Sequence, residues 1–231
     1  MTTTVSTELP RPRTARSGLQ AAGAAGVLSA LVMLGAFLVL PPDSGGTSPE
    51  DIAARYAEGS AGYLRAAALE TLSTALCALL VAGLAAWLLP RRPVAAFAVA
   101  AGGVVMVTCQ LAGYAAIATL AQGAAESAGN DVVTAIHDLS ALLFVVGSAG
   151  LALLTGAVAA AGLRGSPVLA AWSVVTCCAA AVGSVAFATD GLLSPHGDLG
   201  FLVLVLQLAW TVTAGVTLLR GSTTDGRTAR R

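Results

Sequence analysis

Residues 65–93 read RAAALETLSTALCALLVAGLAAWLLPRRP, and this stretch decides the fold class. From Ala66 to Leu89 it holds a single charge, Glu70. At about 1.5 Å per residue a helix of that length covers roughly 36 Å, more than the ~30 Å hydrocarbon core of a bilayer. Pro90 and Pro93 end the run, and Arg91 and Arg92 mark that end as one that stays in the cytoplasm. The pattern recurs in both directions along the chain. Stretches near residues 18–40, 94–120, 139–162, 168–189 and 199–219 are as long and as apolar, so an all-α integral membrane protein with six transmembrane helices is expected.

Composition points the same way. Hydrophobic residues make up 56% of the 231 and charged residues 10%, with a mean hydropathy of +0.82, outside the range of soluble domains. The apolar content is mostly Ala, Val, Leu and Gly with 5% aromatics, which predicts slim helices in close contact and argues against a large aromatic-lined pocket. Cys77, Cys109, Cys177 and Cys178 all lie inside apolar runs and form no C-x-x-C pair, so they read as small buried hydrophobes.

The arginines orient the bundle. With both tails and the second and fourth loops inside, the cytoplasmic face has ten Arg and two acids, Glu8 and Asp225, for a net +8. The opposite face has Arg55 and Arg65 against ten acids, for a net −8. Short loops rich in Arg stay cytoplasmic, so a plasma-membrane protein with both termini inside is expected, placed in a bacterial inner membrane. Residues 1–16 and 221–231 are too polar to bury a core and read as disordered cytoplasmic tails around a membrane domain at 17–220. The first span, preceded by Arg11, Arg13 and Arg16, is too long for a cleaved signal and reads as a signal anchor.

Residues 48–64, SPEDIAARYAEGSAGYL, predict a short helix on the outer surface. Ser48 suits its N-cap, Pro49 its first turn, and Glu50 and Asp51 the positive end of its dipole. Ile52, Tyr56 and Tyr63 share one face, which suits a helix along the membrane with its tyrosines at headgroup depth. Together with ALETLSTALCALLVAGL at 68–84 and AIHDLSALLF at 135–144, this stretch resembles a group of uncharacterised actinobacterial six-helix membrane proteins classed by a domain of unknown function. The resemblance implies the six-helix architecture and no activity.

Chemistry has few places to sit. Glu70 is the ionisable side chain furthest inside a span, and such a group must face protein or water or reach the headgroups. Two amides, Gln110 and Gln207, fall near mid-span and suit interhelical hydrogen bonding or the lining of a polar pathway. His137, Asp138, Asp190, His196 and Asp198 are polar groups expected on the outer face. Asp138 and Asp198 are explained as acids at the positive starts of their helices, so no metal and no cofactor is expected. A stripe of Ala152, Gly156 and Ala160 suits packing within the chain or a homodimer.

No H-E-x-x-H, phosphate-binding glycine loop or G-x-S-x-G occurs, and the scattered arginines suit topology and acidic lipid rather than nucleic acid. The sequence therefore leaves three readings. The first is a non-catalytic or accessory bundle with membrane lipids as its partners. The others are a small proton- or cation-coupled transporter using Glu70, and an enzyme acting on a lipid or isoprenoid through Glu70 with Asp138 or Asp190.

Overall fold

Seven helices of ten residues or more fold up among the described residues, which in this computed structural model are 13–41, 48–161, 166–185 and 198–228. They are α1 (Arg13–Val39), α2 (Pro49–Glu58), α3 (Ser60–Leu88), α4 (Pro93–Thr119), α6 (Asn130–Ala160), α7 (Pro167–Gly183) and α8 (Asp198–Thr228), with a single turn, α5 (Ala125–Ser127), between the fourth and the sixth. Five of these segments are long and apolar enough to cross a membrane: Ser17–Val39, Ser60–Leu88, Pro93–Ser127, Asn130–Ala160 and Gly200–Arg220. The fifth expected span, 168–189, is helical as α7 over 17 residues, about 26 Å, and its remainder from 186 lies outside the described residues. At the other end α8 continues as helix to Thr228, through part of the segment that composition marks as a tail.

The long helices close into a ring in the order α1, α3, α4, α6, α7, α8 and back to α1. Each seam is antiparallel. Gly23 near the start of α1 meets Gly215 late in α8, Gly83 late in α3 meets Ala22, and Gly183 at the end of α7 meets Val203 early in α8. Close approach at these seams depends on glycine, most of all between α4 and α6, where a Cβ on Gly102 would fall 2.6 Å from the Gly150 carbonyl oxygen. Without a hydrophobic force between helices in lipid, such contact supplies the dispersion energy that holds them together.

Polar side chains lock individual seams. Ser29 Oγ donates to the Ser73 carbonyl at 2.8 Å and Ser73 Oγ to the Ser29 carbonyl at 2.9 Å, a reciprocal buried pair between α1 and α3. Trp210 Nε1 donates to Ser173 Oγ at 2.8 Å between α8 and α7. Interhelical bonds of this kind contribute roughly 0.6–2 kcal/mol, so Ser73→Ala is expected to lower the thermal midpoint in detergent by a few degrees. A loss in the double variant with Ser29→Ala equal to the sum of the two single losses would show that the two act independently.

The ring is filled unevenly along its length. Towards the end of α3 that precedes Arg91, a continuous apolar core of Leu80, Leu84, Val99, Met106, Leu154, Val158, Trp210 and Leu218 closes the interior. Towards the opposite end a second cluster forms around α2, where Ile52, Ala53, Tyr56 and Tyr63 pack on Leu120, Ala121, Ala125 and Val133. Outside, the ring presents apolar side chains, among them Leu31, Leu38, Leu79, Phe97, Val104, Leu153 and Val174.

Several expectations are corrected here. The short helix ends at Glu58, because Gly59 terminates it and begins α3, so Tyr63 belongs to α3. Its start is as expected: Ser48 forms a capping box with Asp51, with Pro49 in the first turn. The tyrosine rings are not turned to the outside of the bundle. Tyr56 and Tyr63 are buried against each other with ring centroids 4.7 Å apart, since α2 has the first turns of α6 and α3 to cover rather than lipid. The helix expected from 139 begins at Asn130, because Val133 and Ile136 give its first turns an apolar face against α2. Cys178 is exposed rather than buried, on the outward side of α7.

Candidate functional site

Between the solid core and the α2 cap the ring encloses a cavity of about 430 Å³, within the ordinary size range of small-molecule sites. All seven of the longer helices contribute to its wall. Glu70 reaches it from α3, Gln110 and Tyr114 from α4, His137, Ser140, Phe144 and Ser148 from α6, and Gln207 and Phe201 from α8. Met33 and Phe37 line it from α1, Gly183 from α7 and Tyr56 from the cap.

Helical periodicity explains the selection. Gln110 and Tyr114 are one turn apart on α4, as are His137 and Ala141, then Phe144 and Ser148, on α6, so each helix turns one stripe inward. The stripe on α6 also separates two adjacent residues: His137 enters the cavity whereas Asp138 is exposed outside it. Asp138 stands more than two turns inside α6, so its expected place at a helix start is not observed; the helix begins eight residues earlier. The two acids therefore differ, since Glu70 of α3 faces inward and Asp138 of α6 does not.

Within the cavity the polar groups fall into distinct arrangements. Gln110 Nε2 donates to Gln207 Oε1 at 3.3 Å, a buried amide pair across the ring between α4 and α8. At the cap, the Tyr56 hydroxyl and His137 Nδ1 are 3.0 Å apart and hydrogen-bonded, the rings edge to face with centroids 5.9 Å apart. Glu70 is different. Among the described residues its carboxylate has no hydrogen-bond or ion-pair partner, though Tyr114 is near enough to interact with it electrostatically. Among the described residues no Arg or Lys lines the cavity, so an ionised Glu70 gives that lining a net negative charge.

The apolar part of the wall contradicts an expectation drawn from composition. Aromatics are scarce, but three of the five Phe and two of the three Tyr collect here, as Phe37, Phe144, Phe201, Tyr56 and Tyr114. Tyr114 and Phe144 pack with centroids 5.2 Å apart, in a space that Gly113 leaves open for the Phe144 ring. A low average says nothing about clustering, and the i to i+4 spacing of Gln110 and Tyr114 was the available signal.

The cap is itself anchored. Asn130 Nδ2 donates to Glu50 Oε1 at 3.1 Å, tying the first turn of α2 to the first turn of α6. Backbone N–H groups at the α2 start, then Asn130 and Ser48, hold the Glu50 carboxylate below its ordinary pKa of 4.5. A carboxylate lowered in this way stabilises the packed state above the ordinary value, and that contribution fades as pH falls through the lowered one. Amide exchange over α2, corrected for the intrinsic rate, is therefore expected to speed up on acidification to about pH 3 more than exchange in α3. Asn130→Ala would remove much of that difference.

Beneath the cap, α4 runs on through a π-helical turn, Leu120–Ala124, where Gly123 has φ +112°. Glycine is needed at that torsion, and the turn brings Leu120 and Ala121 under α2.

The remaining expected site residues are not part of this assembly. Asp190 and His196 lie outside the described residues, and Asp198 contributes the first backbone turn of α8. Among the described residues no group of three or more His, Cys, Asp and Glu is close enough to hold a metal ion. From the small-residue stripe, Gly156 faces Cys177 of α7 and Ala152 packs on the core. Comparison of the chain with protein-family models, with curated proteins and with solved structures gives no match.

Proposed function

We propose that the protein is a six-span transporter of a bacterial inner membrane that couples movement of a small solute to a proton or cation through Glu70. The carrying observation is a carboxylate with no hydrogen-bond or ion-pair partner among the described residues, facing a cavity of solute size between a solid core and a cap. An ionisable side chain within a membrane helix has to face protein, water or a ligand, so a carboxylate that faces a cavity with no partner among the described residues suits one supplied by a ligand. An accessory bundle has no use for it. An enzyme using Glu70 with Asp138 lacks convergence, because Asp138 is exposed outside the cavity.

Six crossings are supported by the place of α7. It lies antiparallel between α6 and α8 and turns Val168, Val174, Val175 and Val182 outward, as a lipid-facing helix does. The distribution of arginines supports cytoplasmic termini, which puts α2 and the cavity on the outer side. In cells whose copy of the protein lacks its native cysteines, an impermeant maleimide is expected to label Ser48→Cys and to spare Ser166→Cys until the membrane is opened.

Proteoliposomes test the coupling. With an acidic lumen and a pH-sensitive dye inside, external sodium, potassium or an organic ammonium ion should collapse the gradient in the wild type and not in Glu70→Gln. Equal fluxes in Glu70→Gln and wild type, or none above protein-free vesicles in either, would sink the proposal.

A further inference from the structure

Building on that transport reading, we infer that the cavity takes a small organic monocation, a protonated amine or quaternary ammonium with a compact apolar body. Charge selects the sign. Among the described residues that line the cavity Glu70 is the only carboxylate, with no Arg or Lys to balance it, so one positive charge neutralises the ionised site and a second would be left uncompensated.

Size and donor chemistry argue against a bare inorganic ion. Calcium takes six to eight oxygen ligands at roughly 2.3–2.6 Å, and a single carboxylate in about 430 Å³ does not build such a shell. The two nearest amide side chains are already joined, Gln110 to Gln207, leaving fewer oxygens to close around an ion. An organic cation needs no shell of that kind. Its hydrated surface is small, and its alkyl groups are met by Met33, Leu151 and Leu204.

Aromatic faces complete the argument. Phe37, Phe144, Phe201, Tyr56 and Tyr114 border the same space as Glu70, and a cation over an aromatic face is attracted by the negative face of the ring. Rings and one acid around a mostly apolar wall match a diffuse positive charge spread over methyl groups. The Gln110–Gln207 pair and the serine hydroxyls of α6 provide polar contacts for a substituent at the other end.

The experiment compares two probes of nearly the same shape and different charge, benzyltrimethylammonium and its neutral counterpart neopentylbenzene, by calorimetric titration into the full chain in detergent. The wild type is expected to bind the cation at least tenfold more tightly than the neutral compound. Glu70→Gln should reduce cation affinity about 10–100-fold, the order expected for losing one close charge–charge attraction away from bulk water. Phe144→Leu should weaken it several-fold and leave the neutral probe less affected.

Equal affinity for the two probes, or undiminished cation affinity in Glu70→Gln, overturns the inference. If Glu70→Gln is not recovered folded, the wild-type comparison of the two probes decides alone. A wild type that binds neither probe, yet shows Glu70-dependent flux with sodium or potassium in proteoliposomes, keeps the transport reading and removes the organic cation. Absence of both binding and flux removes both.

Discussion

Glu70→Leu is expected to give a protein that is more heat-stable in detergent than the wild type and inert in transport. The stability half follows from the absence of a partner. Removing a polar group that has no partner among the described residues leaves no other group orphaned, and the leucine puts an apolar side chain into a wall that is mostly apolar. A gain of about 1–3 kcal/mol corresponds to a rise of roughly 2–10 °C for a chain of this size. Glu70→Gln should fall between the two, since its amide is polar but uncharged.

The transport half follows from charge. With no second carboxylate among the described residues that line the cavity, none of them replaces Glu70 as the group that exchanges one cation for another. Opposite movements of stability and activity are the mark of a residue retained for function at a cost to the fold. Differential scanning fluorimetry beside the vesicle assay reads both. A lowered midpoint in Glu70→Leu would mean that the carboxylate holds helices together, and the accessory-bundle reading would then account for it better.

Much of this architecture is legible in the sequence because the bilayer imposes one dominant rule, a minimum apolar length. Residues 65–89 and 94–120 agree with α3 and α4 to within a few residues at most ends, and the Ser48–Pro49–Asp51 pattern locates the start of α2. Helix starts outside the hydrocarbon are harder to read. The nine residues Asn130–Asp138 are amphipathic rather than apolar, and only packing against α2 shows that they extend α6.

The site was half legible. Glu70, Gln110, Gln207 and His137 stand out as polar residues in apolar surroundings, and all four face one cavity. The aromatic wall did not stand out, because Phe37, Phe144 and Phe201 are ordinary residues in membrane helices until three separate spans bring them together. Nor did the Ser29–Ser73 pair, since a lone serine in a span satisfies itself on its own helix as readily as across a seam, as Ser148 and Thr155 do here.

The other large effect is expected at the α4–α6 seam, where Gly150→Val should destabilise the bundle more than any single substitution on its outer surface. A Cβ on Gly150 would lie 2.6 Å from the Gly102 carbonyl oxygen and 2.6 Å from the Met106 backbone nitrogen. These are backbone atoms, so no rotamer change relieves the contact and the helices must separate. Overpacking in cores costs about 1–3 kcal/mol when side chains give way, and a seam that cannot yield locally should reach or exceed the upper end. Gly102→Val meets the same obstacle from the other side, at the Gly150 carbonyl oxygen and the Leu154 nitrogen. The double variant should therefore cost less than the two singles together, because a seam already opened by the first valine admits the second. Gly35→Ala is the control: nothing lies within 4 Å of its added Cβ, so it should be neutral or mildly stabilising through helix propensity. Because α4 carries Gln110 and Tyr114 while α6 carries His137 and Phe144, opening this seam also moves the cavity walls apart, and Gly150→Val should lose transport together with stability, unlike Glu70→Leu.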